Sequence, residues 1–266
     1  MDPHDAAAPR RAAPRRGGGR RVLALLWDNR TMRSPGPPRF DAVLFDCDGV
    51  LVDSEPITNG VLRDMLEEAG WSLTPADCMR LFLGKAVKEE RARIEAHTGQ
   101  PLTDDWLAAF RARRDEQLLQ KVQAVRQAPG AVAILHARFH GRIAVASGAD
   151  LGKVHLQLHK TGLMSWFEGR VFSGYDQPRS KPHPDVYLAA AAALGVDPRR
   201  CAVVEDTVTG ATAGVAAGAT VFGYCPPEAG HDSAERLRAV GVAHCFTEMG
   251  QLPALLESAW PAGSHA

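Results

Sequence analysis

Asp46, Cys47 and Asp48 close a short apolar run, Val43-Leu44-Phe45, and Gly49 follows at once. A strand ending in Asp-x-Asp brings two carboxylates to its C-terminal tip. Period-two geometry turns both to one side, with Cys47 facing away. Carboxylates that close repel unless a cation lies between them, and a site built from oxygens suits Mg²⁺. Gly49 permits a tight turn beside the charges. A plain strand-to-loop junction with two solvated acids would read the same way, so the pair needs corroboration.

Three further stations supply it. Ser147 ends the run Arg142-Ile143-Ala144-Val145-Ala146 and precedes Gly148. A hydroxyl and neighbouring backbone N–H groups can hold phosphate oxygens, although a serine there also reads as a helix cap. Lys181 sits in Ser180-Lys181-Pro182-His183-Pro184-Asp185, where the prolines stiffen the approach and start the next helix. It offers a point charge to a developing phosphoryl anion; alone it would pass for a solvated lysine. Glu205-Asp206 ends Ala202-Val203-Val204 and either adds acidic oxygens for a metal or caps the helix behind it through its dipole.

These residues need elements that hold them together. Strands are expected at 42–46, 142–147, 170–173, 201–205, 220–223 and 244–246. Helical spacing covers 56–70, where Ile57, Val61, Leu62, Met65, Leu66 and Ala69 share one side and Gly70 is a stop. Further helices are expected from Thr74-Pro75, over 86–97 and 104–124, from Pro129-Gly130, and over 184–194 and 208–217. Strands alternating with helices predict an α/β fold with a doubly wound parallel sheet, Rossmann-like in plan. Ligands of such sheets sit outside the carboxyl ends of the strands, which places Asp46, Asp48, Ser147, Glu205 and Asp206 along one edge. From 56 to about 124 the chain carries no strand signal and reads as a helical insert. The expected organisation is a basic segment without a core at 1–39, an α/β domain from 40–56 and 126–251, a helical cap at 57–125 and a C-terminal tail at 252–266. Hinges are expected near Asp53–Pro56 and Ala124–Pro129.

Composition narrows the class. The 266 residues are 45% hydrophobic and 23% charged, as in a soluble globular protein. No apolar run nears the roughly 20 residues of a spanning helix. Formal net charge is zero, yet residues 1–39 carry nine Arg against three Asp, leaving the remainder mildly acidic. Such a body offers no broad footprint for nucleic acid. Arg20-Arg21 precedes an apolar run of six residues, Val22–Trp27, which Asp28 interrupts, short of the usual h-region of an export signal. The five cysteines are scattered and lack Cys-x-x-Cys spacing, which points to reduced thiols in the cytoplasm rather than disulfides or zinc.

The longer string Phe45-Asp46-Cys47-Asp48-Gly49-Val50-Leu51-Val52-Asp53-Ser54 resembles the nucleophile motif of the haloacid dehalogenase superfamily. With the strand-ending Ser147, Lys181-Pro182-x-Pro184-Asp185 and Glu205-Asp206-Thr207-x-x-Gly210, it is similar to that family's four-motif signature, over about residues 40–251. The resemblance implies a family core with an inserted small helical cap and a Mg²⁺-dependent phosphatase acting on small phosphorylated metabolites. Asp46 would be the nucleophile. Asp48 would be the acid and then the base, and would ligate the metal through its backbone carbonyl. Ser147 and Gly148 would bind the phosphoryl group, Lys181 would hold nucleophile and phosphate together, and Glu205 and Asp206 would complete the Mg²⁺ site. Ser147-Gly148 departs from the Ser-Ser or Ser-Asn common in the family.

The same resemblance sorts the family's chemistries. Dehalogenases and phosphonate hydrolases lack an acid two residues after the nucleophile, and Asp48 stands against both. β-Phosphoglucomutase-like members carry a His after the first motif and an Arg in the cap loop, where this chain has Thr58 and Val87. Hydrolysis is favoured over isomerisation, with a catalytically idle phospholigand-binding module as the remaining alternative. Phe172-Ser173-Gly174-Tyr175-Asp176 together with Arg179 resembles members acting on 6-phosphogluconate and related sugar phosphates, although it also reads as a lineage mark without substrate contact. Gly84, Lys85 and Lys88 are the cap candidates for contacting a polar or anionic group. The expected partner is a small phosphorylated metabolite, with no nucleic acid and no membrane, and the chain is read as a monomer or weak homo-oligomer.

Overall fold

The computed structural model describes residues 40–227 and 230–258. The arginine-rich segment 1–39 and residues 259–266 of the expected tail lie outside them. Six strands form one sheet: β1 (Ala42–Phe45), β2 (Ile143–Ser147), β3 (Val171–Ser173), β4 (Cys201–Glu205), β5 (Thr220–Tyr224) and β6 (His244–Phe246). Every pairing is parallel, in the order β3-β2-β1-β4-β5-β6. The chain reverses its winding between β1 and β4, the switch point at which such sheets bind ligands.

The alternation of the strands explains why both faces are covered. Val43, Phe45, Ile143, Val145, Ala202 and Val204 belong to one core, while Ala42, Leu44, Ala144, Ala146, Cys201 and Val203 belong to the other. Helices α5 (Ala128–Arg138) and α6 (Leu151–Lys160) pack into the first face. Helices α7 (Asp185–Ala193), α8 (Val208–Ala216) and α9 (Ala234–Ala239) pack into the second. Smaller residues, Ala190, Ala191, Ala211 and Ala213 among them, let α7 and α8 lie close against that face.

Between β1 and β2 the chain is helical: α1 (Glu55–Glu68), α2 (Pro75–Phe82), α3 (Arg91–Thr98) and α4 (Asp104–Lys121). Thr74 and Thr103 cap α2 and α4 by accepting from the N–H groups of Asp77 and Trp106, both at 3.1 Å. A separate cluster of Val61, Leu62, Met65, Leu66, Cys78, Phe82, Ile94, Leu102, Leu107 and Phe110 holds these helices together. The strands leading in and out run side by side, with Asp53 N–H bonded to Gln123 C=O and Val125 N–H to Leu51 C=O, each at 3.0 Å. Helix α4 stops at Lys121 rather than reaching 124, because Val122 turns extended to bury itself in the sheet core.

Two expectations need amendment. Residues 252–258, read as tail, form α10 (Leu252–Ser258), and Leu252 and Leu256 join the first core. No helix is expected from the sequence at 151–160, yet α6 forms there and delivers Lys153 and Gln157 to the site.

Candidate active site

Asp46 continues β1 by donating its N–H to Val204 C=O at 3.0 Å, so the residue is fixed by the ladder itself. The chain then folds back: Leu51 N–H reaches Cys47 C=O at 2.9 Å, and Gly49 N–H reaches Val52 C=O at 2.9 Å. Gly49 has φ +76°, and a Cβ there would lie 2.1 Å from Asp206 Oδ2. The turn therefore needs glycine twice over, for its backbone and for the acid packed against it.

Lys181 anchors the centre. Its Nζ donates to Asp46 Oδ1 and to Glu205 Oε1, both at 2.7 Å, and lies 4.8 Å from the centre of the Tyr187 ring. Burial works against its charge, but Asp46 and Glu205 hold the ammonium above the usual lysine range. Burial is also the main reason that Asp46 is pushed up to about 7; Lys181 opposes the shift, while Glu205 and Asp48 add to it.

Glu205 and Asp206 are adjacent in sequence and opposite in circumstance. Glu205 Oε1 accepts from Lys181 and from Tyr187 O–H at 2.7 Å. Its Oε2 accepts from the N–H groups of Asp206 and Thr207 and from the Thr207 hydroxyl, at 3.1 to 3.3 Å. Glu205 is fully satisfied by protein. Asp206 is wholly buried, and neither carboxylate oxygen has a hydrogen-bond partner among the described residues. Burial, then Glu205 and Asp46, push its carboxyl well above the ordinary range. Ligand atoms of Asp46, Glu205 and Asp206 lie within 4.8 Å of one another. Two orphaned, desolvated oxygens in a like-charged cluster fit a bound divalent cation, and an all-oxygen donor set suits Mg²⁺. The donors that fit are Asp206 and Asp46, with Glu205 committed to protein groups.

Asp48 faces a different set of partners. Its Oδ1 accepts from the Ser54 hydroxyl, from Gln157 Nε2 at 2.8 Å and from Lys153 Nζ at 2.8 Å. Burial opposes its ionisation, yet Lys153, followed by Ser54 and Gln157, holds it below the usual range. All three contacts fall on Oδ1, leaving Oδ2 without a partner among the described residues, in a residue that lines the cleft. Asp48's carboxylate is not among the clustered metal-type ligands. Ser54 precedes α1 but makes no side-chain cap there, because its hydroxyl is spent on Asp48.

Ser147 is buried, and its Oγ accepts from Ala149 N–H at 3.0 Å, leaving the hydroxyl proton without an acceptor among the described residues. The cap of α6 is Asp150, which accepts from Lys153 N–H at 2.9 Å. Gly148 lines the cleft beside Lys181. From the helical insert, Gly84, Lys85 and Lys88 all line the same cleft, as do Thr58 and Val87. Gly84 has φ +67°, and a Cβ there would touch the Thr207 side chain at 3.0 Å. Lys85 is paired with Glu90 at 3.3 Å, and Lys88 lies 3.9 Å above the Tyr175 ring.

Several cleft and site residues escaped the sequence reading: Lys153, Gln157, Ser54, Tyr187, Thr207 and Glu55. Tyr187 has a local signal, two residues after the Lys-Pro-x-Pro-Asp run. Glu55 does not; it lines the cleft with its carboxylate bonded by Asn59 at 2.9 Å, and burial, then Asp48, push it up to about 7.

The family model of the haloacid dehalogenase-like hydrolases matches residues 40–218. The chain is 32% identical to a 6-phosphogluconate phosphatase of Escherichia coli (strain K12) over 218 residues, covering 82% of this chain and 95% of that one. It is 31% identical to hexitol phosphatase B of the same organism over 207 residues, covering 74% and 88%. Among solved structures, a HAD family hydrolase from Deinococcus radiodurans R1 with bound phosphate and sodium is similar at 35% identity and a TM-score of 0.68, covering 86% of this chain and all of that one.

Proposed function

The chain belongs to the haloacid dehalogenase-like hydrolases, and from that premise we propose that it is a Mg²⁺-dependent phosphatase. Its substrates are phosphate monoesters of small metabolites, sugar phosphates such as 6-phosphogluconate, and turnover passes through an aspartyl phosphate on Asp46. The observation that carries this reading is the pairing of Asp46 Oδ1 with Lys181 at 2.7 Å beside the orphaned carboxylate of Asp206.

Each residue then has a task. Asp46 attacks phosphorus, forming an O–P bond as the ester P–O bond breaks. Its carboxylate must be ionised and must approach a dianion, and Lys181 serves both needs, since its charge favours the carboxylate and offsets the phosphoryl oxygens. Glu205, tied by five hydrogen bonds, positions Lys181 and is a positioning residue. Asp46 and Asp206 would hold the Mg²⁺, whose charge would offset that of the phosphoryl oxygens. The free hydroxyl proton of Ser147 and the backbone around Gly148 bind phosphoryl oxygens. Asp48 acts through Oδ2: after taking a proton from solvent it protonates the leaving oxygen, then takes a proton from the water that cleaves the aspartyl phosphate. Lys153 favours its carboxylate, so the resting enzyme is prepared for the second of these roles.

Asp46→Asn tests the assignment. Phosphate release from p-nitrophenyl phosphate and from 6-phosphogluconate should vanish while the unfolding midpoint holds. Turnover by that variant would remove Asp46 as nucleophile.

A further inference from the structure

Six cationic side chains line the cleft over the strand tips: Lys85, Lys88, Arg111, Arg114, Lys153 and Lys181. Five are engaged by the protein itself. Lys85 has Glu90, Lys88 has the Tyr175 ring, Lys153 has Asp48, and Lys181 has Asp46 and Glu205. Arg114 bridges Asp115 at 2.7 Å and Asp150 at 3.1 Å, the latter tying α4 to the start of α6. Arg111 has no hydrogen bond, ion pair or ring contact among the described residues, although it is half-buried. Of the acids that line the cleft, Asp150 is paired with Arg114 and Glu89 accepts from the Ser180 hydroxyl at 2.7 Å.

Helical spacing explains where Arg111 sits. Leu107, Phe110, Arg111 and Arg114 fall at i, i+3, i+4 and i+7 along α4, and all four line the cleft. The side chain thus stands on the wall that the insert contributes, beside two apolar neighbours, while Asp46, Lys181 and Glu205 form the wall that the sheet contributes. A guanidinium carries five donors in a planar fork that matches an oxyanion. Held in a cleft with its donors unspent, it lacks a partner that the substrate can bring.

We propose that Arg111 reads the far end of the substrate, receiving a carboxylate on the same molecule whose phosphate is presented to Asp46. The favoured substrates are therefore phosphorylated sugar acids rather than phosphorylated polyols. The assignment rests on the phosphatase reading above. A second phosphate shares the oxyanion chemistry, but the guanidinium of Arg111 alone balances the single charge of a carboxylate, whereas a phosphate dianion would also need Lys88, which is held over the Tyr175 ring.

The experiment compares kcat/KM for phosphate release from 6-phosphogluconate, from glucitol 6-phosphate, whose far end is an alcohol, and from fructose 1,6-bisphosphate. The protein as it stands should prefer 6-phosphogluconate over glucitol 6-phosphate by about tenfold or more, the range a hydrogen-bonded charge carries. Arg111→Gln should collapse that ratio chiefly through KM, and Arg111→Lys should restore part of it. A ratio is insensitive to the fraction of variant that folds. An unchanged ratio in Arg111→Gln, or an unmutated protein that prefers glucitol 6-phosphate or the bisphosphate, overturns the assignment. Hydrolysis of p-nitrophenyl phosphate by the unmutated protein separates the two failures. If that ester is cleaved and the ratio does not move, only Arg111 is misassigned; if no ester is cleaved, the phosphatase reading falls with it.

Discussion

Gly210→Ala should destabilise the protein, although it places the best helix-forming residue in the first turn of α8. In an open helix, Gly to Ala gains about 0.5–1 kcal/mol from propensity and reduced freedom of the unfolded chain. At Gly210 the added Cβ would lie 1.7 Å from Glu205 Oε1 and 2.1 Å from its carboxyl carbon. That is deep inside van der Waals contact, so the carboxylate must move. It is wholly buried and bonded to Lys181, Tyr187, Asp206 and Thr207, with no solvent to move into. Overpacking costs about 1–3 kcal/mol, and weakening even one hydrogen bond to a buried charge adds about 1.5–3 kcal/mol. Sterics win, for a net loss of about 1.5–5.5 kcal/mol, or roughly 3–20 °C in a domain of this size. Gly60, inside α1 with nothing within 4 Å of its Cβ position, is the matched control, and Gly60→Ala should raise the midpoint by roughly 1–3 °C. Thermal unfolding of the two variants beside the unmutated protein decides the matter. A Gly210→Ala midpoint at or above the unmutated value would refute the packing of Glu205 on α8.

Two further outcomes follow from the acidic cluster. Asp206→Asn removes a charge from a like-charged buried pair, so under chelation its midpoint should equal or exceed that of the unmutated protein. The stabilisation by Mg²⁺, about 2.7 kcal/mol at one hundred times Kd, should be lost from the variant, and an undiminished Mg²⁺ shift would take the cation elsewhere. Asp46 and Glu55 are each pushed up to about 7, so both bind more protons folded than unfolded and contribute stability that is lost as pH rises through about 7. The chelated protein should therefore lose several degrees of midpoint between about pH 5 and pH 8, and a rise across that interval in calorimetry would contradict the burial of these groups.

The strand tips were legible because their signals are local. Val43-Leu44-Phe45 followed by Asp-x-Asp, Ser147 after four apolar residues and Glu205-Asp206 after Ala202-Val203-Val204 each name a strand and its end within a few positions. Parallel order then follows from the intervening helices, so the sheet could be assembled without any long-range information. The partners of Asp48 could not be read this way. Lys153 and Gln157 stand more than 100 positions away on α6, among His155, His159 and Lys160, and nothing in the spacing marks these two of its polar residues as the buried ones. Arg111 was hidden for a related reason: α4 carries Arg111, Arg113 and Arg114 within four positions, and only the packing of Leu107 and Phe110 decides which of them meets the cleft.

The division of labour between Glu205 and Asp206 shows where a motif stops informing. As letters they are two acids in a row, both assigned to the metal by analogy. In the fold, the strand's alternation sends one side chain under the sheet edge toward Tyr187 and Lys181, and the next toward the Gly49 turn. The first is consumed in holding the lysine that pairs with Asp46, while the second keeps both oxygens unspent. A buried carboxylate stays ionised only at a cost unless a cation meets it; Lys181 is already shared between two carboxylates at 2.7 Å, and His231 Nε2, 4.0 Å from Asp206 Oδ2, is bonded to Gly49 C=O. Among the described residues Asp206 is the buried acid with both oxygens unbonded, which makes it, ahead of Glu205, the candidate ligand for a cation.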